Sequence, residues 1–421
     1  IELEPSSNRP NGAFTLRGLP ADVDAQHDCG GAEDCALVLH TSGTTSRPKQ
    51  VPLSQRNLLS SAHAVARTLA LTGDDRCLNA MPLFHIHGLV GALLSSVYAG
   101  GSMVCPECYE EESFSRAMGE FSPTRYTAVP TIHQSILALV ERNPSLARDH
   151  SLRFIRSSSS SLPPAVMGAL EDMFRVPVIE SYGMTEAAHQ MASNPLPPAD
   201  RKPGSVGLPA GPDMAVMDDD GNLLAPGETG EIIIRGDNVT TGYANNPEAN
   251  AESFTNGWFR TGDLGHIDDN GYFYITGRSR EMINRGGETI APREIDDALL
   301  EHPAVVQAVA FSVPHPSLGE DVAAAVVVQA ANDTSEEELR MFAFERLAPA
   351  NVPSRIITVT KIPKGPTGKV RRIGLHELLK KQLQQTYVGP RTDLERTVVT
   401  AIERVLNTGH VGVMDLSLIH I

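Results

Sequence analysis

A segment rich in hydroxyl groups and glycine, residues 41–49 (TSGTTSRPK), directly follows the apolar run 36–39. Gly43 allows positive φ and close approach of the backbone to a ligand, and successive backbone N–H groups with serine and threonine hydroxyls can surround an anion. Lys49 adds a positive charge. The segment is not a Walker A loop, because proline precedes the lysine and glutamine follows it. It predicts a phosphate-binding turn after a short buried strand, although a polar surface loop has the same composition.

Two histidines, His85 and His87, lie two positions apart in residues 82–88 (PLFHIHG). In an extended segment their side chains face opposite ways, and at a helix start they diverge by about 200°. The spacing therefore predicts different roles for the two rings. Core or loop histidines with satisfied hydrogen bonds would show the same spacing, so this alternative stays open.

The composition bounds the class of protein. The chain has 421 residues, 41% hydrophobic and 20% charged, which predicts roughly two or three globular domains. A net charge of −16 argues against nucleic acid or an anionic membrane as the main partner. No run approaches the ~18 apolar residues of a membrane span. Five cysteines, an odd and sparse number, fit a reducing compartment. We expect a cytoplasmic location, with a peroxisomal one left open. The single CxxC at 105–108 fits a redox site, a zinc site or chance spacing.

The order of apolar patterns predicts an α/β protein. Between 36 and 200, apolar runs alternate with helical patterns, as in a parallel sheet covered by helices. The predicted strands are 36–40, 102–105, 125–129, 152–156 and 176–180, and the predicted helices are 55–70, 88–98, 131–142 and 163–173. From about 205, strands separated by Asp-Gly and Asn-Gly turns indicate a β-rich lobe. From 278, a smaller α+β unit follows, with helices near 294–301, 336–347 and 374–386 and strands near 305–313, 322–329 and 355–362.

Six more segments accompany the loop at 41–49, and they are residues 82–88, 156–161, 181–186, 258–263, 277–287 and 364–369. Together and in this order, the seven segments resemble the adenylate-forming superfamily of acyl-CoA synthetases, carrier-protein adenylation domains and luciferases. The resemblance covers roughly residues 36–385. It is closest to oxalate–CoA ligases, through residues 81–91, 129–133, 156–162, 181–197 and 281–290.

The resemblance implies a reaction in two halves. A carboxylate attacks the α-phosphate of ATP to give acyl-AMP and pyrophosphate, and the thiol of coenzyme A then expels AMP. It implies that Lys369 supplies the cation at the α-phosphorus and that Glu186 holds Mg²⁺, which prefers oxygen ligands. The resemblance further places Thr185 at the α-phosphate, Tyr182 on adenine, and Asp263 and Arg278 at the ribose. It also implies nucleotide contacts from Ser159 and Gly183, and contacts with the β- and γ-phosphates from Thr41, Ser42, Gly43, Thr44, Thr45 and Lys49.

The resemblance also implies how the acid and the thiol are handled. His85 would gate between the two half-reactions, and His87 would line the acyl pocket. A small dicarboxylate needs donors there because buried charge must be paired, and His87, the hydroxyls of Ser159 and Ser160, and His189 could supply them. Arg280 occupies the hinge about which the lid would rotate, although aspartate or lysine is usual there. Gly286 and Gly287 would then face the thiol. Ser46 is a second departure, since the family usually has glycine at that position.

The resemblance implies an adenylate-forming fold without its usual N-terminal segment. We expect a linker or remnant of that segment at 1–35, a large domain at 36–277 with its β-rich sublobe at about 205–277, and a lid at 278–387. Residues 388–421 resemble the truncated start of a phosphopantetheine carrier domain. The leading function is therefore an oxalate–CoA ligase-like enzyme that uses ATP. An adenylation domain that loads a fused carrier and a non-catalytic adenylate-binding fragment are the alternatives.

Overall fold

The computed structural model describes residues 2–5, 14–17, 30–41, 48–106, 109–329, 334–364, 370, 372–383 and 389–406. Within these residues, no helix has the length and apolar character needed to cross a lipid bilayer. The first four strands form two antiparallel pairs: β1 (Glu2–Pro5) with β2 (Phe14–Arg17), and β3 (Cys35–His40) with β4 (Gln50–Ser54).

A seven-stranded sheet with helices on both faces forms the large lobe. In chain order its elements are α1 (Gln55–Thr68), β5 (Arg76–Asn79), a π-helix (His87–Leu94), α2 (Ser95–Tyr98), β6 (Ser102–Val104), α3 (Glu111–Phe121), β7 (Arg125–Ala128), α4 (Pro130–Arg142), α5 (Ser145–Arg148), β8 (Phe154–Ser157), α6 (Pro164–Phe174), β9 (Val178–Met184), a 3₁₀ turn (Thr185–Ala187), β10 (His189–Ser193) and β11 (Leu208–Pro209). The strand order is β11-β10-β9-β8-β7-β5-β6. Strands β5 to β9 are parallel, and β10 and β11 add an antiparallel edge.

Local signals explain where these helices begin. The side chains of Ser54 and Asn57 form a reciprocal capping box at the start of α1. Pro130 and Pro164 occupy first helical positions, where proline loses no hydrogen bond. Alternate strand residues then pack on opposite faces: Ile155 lies in the core with α3, α4 and α6, and Phe154 packs with α1. Burial on both faces is the usual state of a parallel sheet.

The β-rich lobe is an antiparallel sheet that follows the large one. Its elements are β12 (Asp213–Met217), β13 (Gly230–Arg235), α7 (Pro247–Ser253), β14 (Phe254–Thr255), β15 (Trp258–Ile267) and β16 (Phe273–Arg278). Strands β15 and β16 pair with Asp263 opposite Arg278. This register places a carboxylate and a guanidinium side by side at one end of the hairpin.

The remaining elements form the α+β unit and a separate helix. They are a 3₁₀ turn (Ser279–Glu281), β17 (Ile283–Arg285), β18 (Glu288–Ile290), α8 (Pro292–Leu300), β19 (Val305–His315), β20 (Gly319–Val328), α9 (Glu336–Phe344), a 3₁₀ turn (Pro349–Asn351), β21 (Arg355–Thr358), α10 (Leu375–Leu378), α11 (Lys380–Leu383) and α12 (Asp393–Leu406). Helices α8 and α9 cover one face of the sheet, and α10 packs on the other. A hydrogen bond of 3.2 Å from the Gln134 amide to the Val306 carbonyl joins this unit to α4.

The predicted α/β architecture is confirmed, with three corrections. Strand β3 is not buried. Among the described residues it pairs with β4 alone, so Leu37 and Leu39 reach the core while Val38, 47% exposed, faces outward. Several strands were missed, including β4, β5, β10 and β11; in β5 only Cys77 and Leu78 are apolar. The single helix predicted at 374–386 is two short helices within the described residues. The residue boundaries of the four predicted units stay a prediction.

Candidate functional site

The ends of the predicted phosphate-binding segment lie side by side between β3 and β4. The Thr41 N–H donates to the Lys49 carbonyl at 2.9 Å, and the Lys49 N–H donates to Thr41 Oγ1 at 3.3 Å. The Lys49 ammonium lies 4.3 Å from the centroid of the Tyr243 ring, over its face. The other predicted residues of the segment, Ser42, Gly43, Thr44 and Thr45, lie outside the described residues, and so does Lys369.

The same tyrosine connects Lys49 with the predicted metal-binding carboxylate. Glu186 is buried in the 3₁₀ turn after β9, and the Tyr243 hydroxyl donates to Glu186 Oε1 at 2.8 Å. Burial raises the pKa of Glu186, while the Tyr243 hydrogen bond and the charges of Arg278 and Lys49 oppose that rise. Burial and the adjacent Glu186 also raise the pKa of Tyr243. Tyr243 therefore stays a neutral donor that fixes one oxygen of the carboxylate.

A second buried carboxylate, Asp263, joins three elements. Arg278 Nε lies 2.6 Å from Asp263 Oδ1, and the Tyr182 hydroxyl on β9 donates to Oδ2. The charge of Asp263 raises the pKa of Arg278, and burial together with that charge raises the pKa of Tyr182. An ionised carboxylate has about four acceptor positions. Asp263 can therefore keep both contacts and still accept hydrogen bonds from two ribose hydroxyls.

The predicted acid-binding histidines stack on each other. The rings of His87 and His189 have centroids 5.1 Å apart and lie within 17° of parallel. His87 is fully buried at the start of the π-helix. Its Nδ1 lies 3.0 Å from Ser159 Oγ and its Nε2 lies 2.6 Å from Thr127 Oγ1. We call these four side chains the histidine stack. The histidine stack is therefore a wall of hydrogen-bonding groups. A pocket for a long apolar acyl chain would instead be lined by hydrocarbon side chains.

Two residues of this wall have unusual backbone conformations. Ser159 has a backbone φ of +74° and His189 one of +102°, values that residues other than glycine rarely adopt. Such conformations cluster at functional sites, where surrounding structure holds them in place. Gly183 has a related role, because a Cβ there would lie 1.7 Å from the His189 carbonyl oxygen. Glycine at 183 thus permits the tight β9–β10 pairing that brings His189 back beside the site.

The other predicted residues are placed as follows. His85 is half-buried, and its Nδ1 accepts a hydrogen bond from the His87 N–H at 3.2 Å. Thr185 begins the 3₁₀ turn that carries Glu186, whereas Ser160 is exposed and is not part of the histidine stack as the structure shows it. Arg280 is in the short turn after β16, and its charge acts on Tyr243.

Gly286 and Gly287 form the tight turn between β17 and β18, with φ of +62° and +100°. Both are exposed, and neighbouring Arg285 is anchored by an ion pair of 2.8 Å to Asp321. The turn is therefore a backbone surface on a rigid support. Its approach to the thiol stays a prediction.

Two contributors to the site were missed or left without a role. Tyr243 lies in a loop sequence, TTGYANNP, in which nothing marks it as a partner of Glu186. Arg156 belongs to the motif at 156–161, but the sequence offers no reason to assign it a role, because arginine side chains are usually exposed. In the structure Arg156 is fully buried, and its Nη2 lies 2.9 Å from His189 Nε2 and 3.0 Å from Gln190 Oε1.

Among the described residues, no group of three or more histidine, cysteine, aspartate or glutamate side chains is arranged to hold a metal ion. The role of Glu186 as a ligand of Mg²⁺ stays a prediction. The CxxC at 105–108 stays untested, because Cys108 lies outside the described residues.

Comparisons with known proteins identify the family of this chain. Residues 4–244 match the family model of AMP-binding enzymes, and residues 294–369 match that of the AMP-binding enzyme C-terminal domain. The "Probable CoA ligase CCL9" of Humulus lupulus is 46% identical over 377 residues, 88% of this chain and 70% of that protein. The oxalate–CoA ligase of Arabidopsis thaliana is 47% identical over 343 residues, 81% of this chain and 66% of that protein.

A solved structure shows the same fold. The crystal structure of ATP-bound MatB from Rhodopseudomonas palustris matches with a TM-score of 0.78 and 32% identity, over 84% of this chain and 70% of that one. The chain thus spans about two thirds of the length of the relatives that it matches.

Proposed function

The chain belongs to the family of AMP-binding enzymes, and on this premise we propose that it ligates a small carboxylic acid to a thiol at the expense of ATP. Coenzyme A is the proposed thiol, and oxalate is the candidate acid. In the first half-reaction, a carboxylate oxygen bonds to the α-phosphorus and the bond to pyrophosphate breaks. In the second, the thiol sulfur bonds to the acyl carbon, AMP leaves and the thiol proton is released.

The nucleotide would lie along the buried carboxylates. Asp263, held by Tyr182 and Arg278, is the proposed acceptor for the ribose hydroxyls, because its remaining acceptor positions can take two donors. Thr41 and Lys49 lie at the ends of the segment proposed for the β- and γ-phosphates. Glu186 is the proposed protein ligand of Mg²⁺, which would supply positive charge to the phosphates.

The observation that carries the choice of acid is the histidine stack. It is built from buried imidazole and hydroxyl groups, which suit a charged, hydrogen-bonding acid better than a hydrocarbon chain. Anions are bound in protein interiors only when donors or cations surround them. A small acid with two anionic groups therefore suits this wall better than a fatty acid does.

Pyrophosphate exchange tests this function. The protein would be incubated with ATP, Mg²⁺ and labelled pyrophosphate, separately with oxalate, malonate, acetate and a cinnamate. We expect label in ATP with oxalate and, more weakly, with malonate. Exchange with acetate or the cinnamate in place of oxalate would keep adenylation and discard the diacid. A folded protein that binds ATP and exchanges with no acid would instead be the non-catalytic module.

Two lysine variants make the exchange test sharper. Lys369→Ala removes the cation proposed to act at the α-phosphorus, and we expect exchange to fall by about a hundredfold or more. Lys361→Ala is the matched control, since it removes an exposed lysine eight positions earlier. Equal losses in both variants would argue against a specific role for Lys369.

A fused carrier arm is the second candidate for the thiol. Helix α12 begins with a capping box in which the Glu395 N–H donates to Thr392 Oγ1 and Glu395 Oε2 accepts from the Thr392 N–H. Leu394 and Val405 on α12 are 74% and 76% exposed, as expected of a helix that belongs to a further unit. Turnover with free coenzyme A at saturating acid would favour coenzyme A as acceptor. Adenylate formation without release of AMP to coenzyme A would favour the carrier.

A further inference from the structure

Arg156 is a buried cation that no carboxylate pairs with in the described part of the chain. It lies on β8, fully buried. Of its three nitrogens, Nη2 contacts His189 and Gln190, whereas Nε and Nη1 have no hydrogen-bond partner among the described residues. A second buried arginine on the neighbouring strand, Arg125, contacts the Ser95 and Ser96 hydroxyls through Nη2. Burial and the charge of Arg125 lower the pKa of Arg156 to about 9, which leaves it charged at neutral pH.

The contact with Arg156 determines where His189 carries its proton. A guanidinium group donates hydrogen bonds and accepts none. The His189 Nε2 that lies 2.9 Å from Arg156 Nη2 must therefore be the acceptor, so the ring is neutral with its proton on Nδ1. A charged imidazolium would direct an N–H at the N–H of a cation in a buried site. The ring stacked on His87 is thus held as one tautomer, with Nδ1–H as its donor.

Neighbouring residues leave room for the contact between Arg156 and His189. Gly91 in the π-helix lies against both groups, because a Cβ there would be 2.4 Å from His189 Nε2 and 2.9 Å from Arg156 Nη1. Gln190, the neighbour of His189, donates through Nε2 to the Ala210 carbonyl at 2.9 Å, which turns its Oε1 toward Arg156. Both Arg156 contacts are therefore fixed by parts of the chain outside β8.

We propose that Arg156 is a positioning residue that holds His189 as the neutral, Nδ1-protonated tautomer within the histidine stack proposed to bind the acid. The uncompensated charge of the guanidinium strengthens the preference for an acid with two negative charges over one with a single charge. The part of the proposal that concerns the diacid rests on the function proposed above. The part that concerns the tautomer does not.

The tautomer can be read directly in the protein without substrate. Histidines would be labelled with ¹⁵N, and the His189 signals assigned by their loss in His189→Gln. In the wild-type protein near neutral pH, we expect the Nδ1-protonated pattern. An Nε2-protonated or a doubly protonated His189 would overturn the proposal, whatever acid the enzyme uses and even if it uses none.

Two arginine variants then test the cause. In Arg156→Met the acceptor at Nε2 loses its donor, and we expect a mixture of tautomers and a KM for the diacid raised by about ten- to a hundredfold, with the KM for ATP unchanged. Arg125→Met is the matched control, because it also removes a buried cation but leaves the His189 contact intact. Arg156→Lys should restore part of the diacid KM.

The result for a monoacid separates specificity from general damage. With acetate or another single carboxylate that supports exchange, Arg156→Met should change KM by less than about threefold, since no second carboxylate is lost. An equal rise for both kinds of acid would overturn the specificity part. An unchanged tautomer in Arg156→Met would overturn the positioning part.

Discussion

Glu180 offers a test of the buried electrostatics that does not depend on any ligand. Its side chain is 1% exposed on β9, and burial raises its pKa from 4.5 to about 7. Oε1 accepts a hydrogen bond from the Leu162 N–H at 2.9 Å, whereas Oε2 has no partner among the described residues. Nearby Arg293 lowers the pKa and Asp297 raises it, but both effects are smaller than that of burial.

The sign follows from proton binding. A carboxyl whose pKa is higher in the folded state binds more protons there than in the unfolded chain, so the free energy of unfolding falls as pH rises from the unfolded value of 4.5 through about 7. One pKa unit corresponds to about 1.4 kcal/mol. Between about pH 5 and about pH 8, Glu180 should therefore remove about 2 to 3 kcal/mol of stability.

Glu180→Gln abolishes this titration and keeps an acceptor for Leu162. We expect the variant and the wild-type protein to have similar free energies of unfolding near pH 5, and the variant to be more stable by about 2 to 3 kcal/mol near pH 8. Urea titrations followed by circular dichroism at both pH values measure the difference, in which the other titrating groups cancel.

The control is Glu171→Gln, which removes an ion pair of 2.9 Å with Arg201 and should not stabilise the protein at the higher pH. If wild-type and Glu180→Gln proteins lost stability in parallel between the two pH values, the carboxyl would be ionised at no cost and the reasoning would be wrong.

Three further changes have clear expected outcomes. Gly183→Ala places a Cβ 1.7 Å from a backbone oxygen that cannot move alone, so urea titration should show a loss of more than about 3 kcal/mol; a loss below about 1 kcal/mol would contradict the clash. Tyr243→Phe leaves buried Glu186 without its donor and should weaken Mg²⁺–ATP binding by about five- to a hundredfold in calorimetry. ATP without Mg²⁺ serves as the control, and equal weakening of both would exclude a metal-linked role. Arg285→Met breaks the buried pair with Asp321 and should destabilise the protein by about 3 to 5 kcal/mol, with partial recovery when Asp321→Leu is added.

The regular elements could be predicted where local chemistry determines them. Pro130, Pro164 and Pro292 each begin a helix within a residue or two of the predicted start, because proline fits the first turn without loss of a hydrogen bond. The capping pair Ser335 and Glu338 likewise marks the start of α9. These signals act over three or four residues and need no tertiary context.

The features that were missed depend on distant contacts. The apolar run in β3 indicates a strand but says nothing about its partner, and pairing with β4 alone leaves Val38 exposed. The helix predicted at 88–98 is present as the π-helix and α2, but its π character was not predicted. Tyr243 and Arg156 join the site only through partners that are 57 and 33 residues away in sequence.

The arrangement of charges suggests that the sheet determines acid specificity and that the proposed lid controls the two half-reactions. At the end proposed for the nucleotide, Asp263 and Glu186 are each held by a tyrosine hydroxyl, with Arg278 or Lys49 nearby. At the end proposed for the acid, the contacts of buried Arg156 in the described part of the chain are with the neutral acceptors His189 and Gln190. In the proposed reaction, a substrate carboxylate that approaches an anionic phosphate would be stabilised by a cation behind it, and β8 would keep Arg156 fixed while the proposed lid rotates. Substitutions within the sheet should therefore change which acid is accepted, whereas substitutions near Arg280 should change the balance between the two half-reactions.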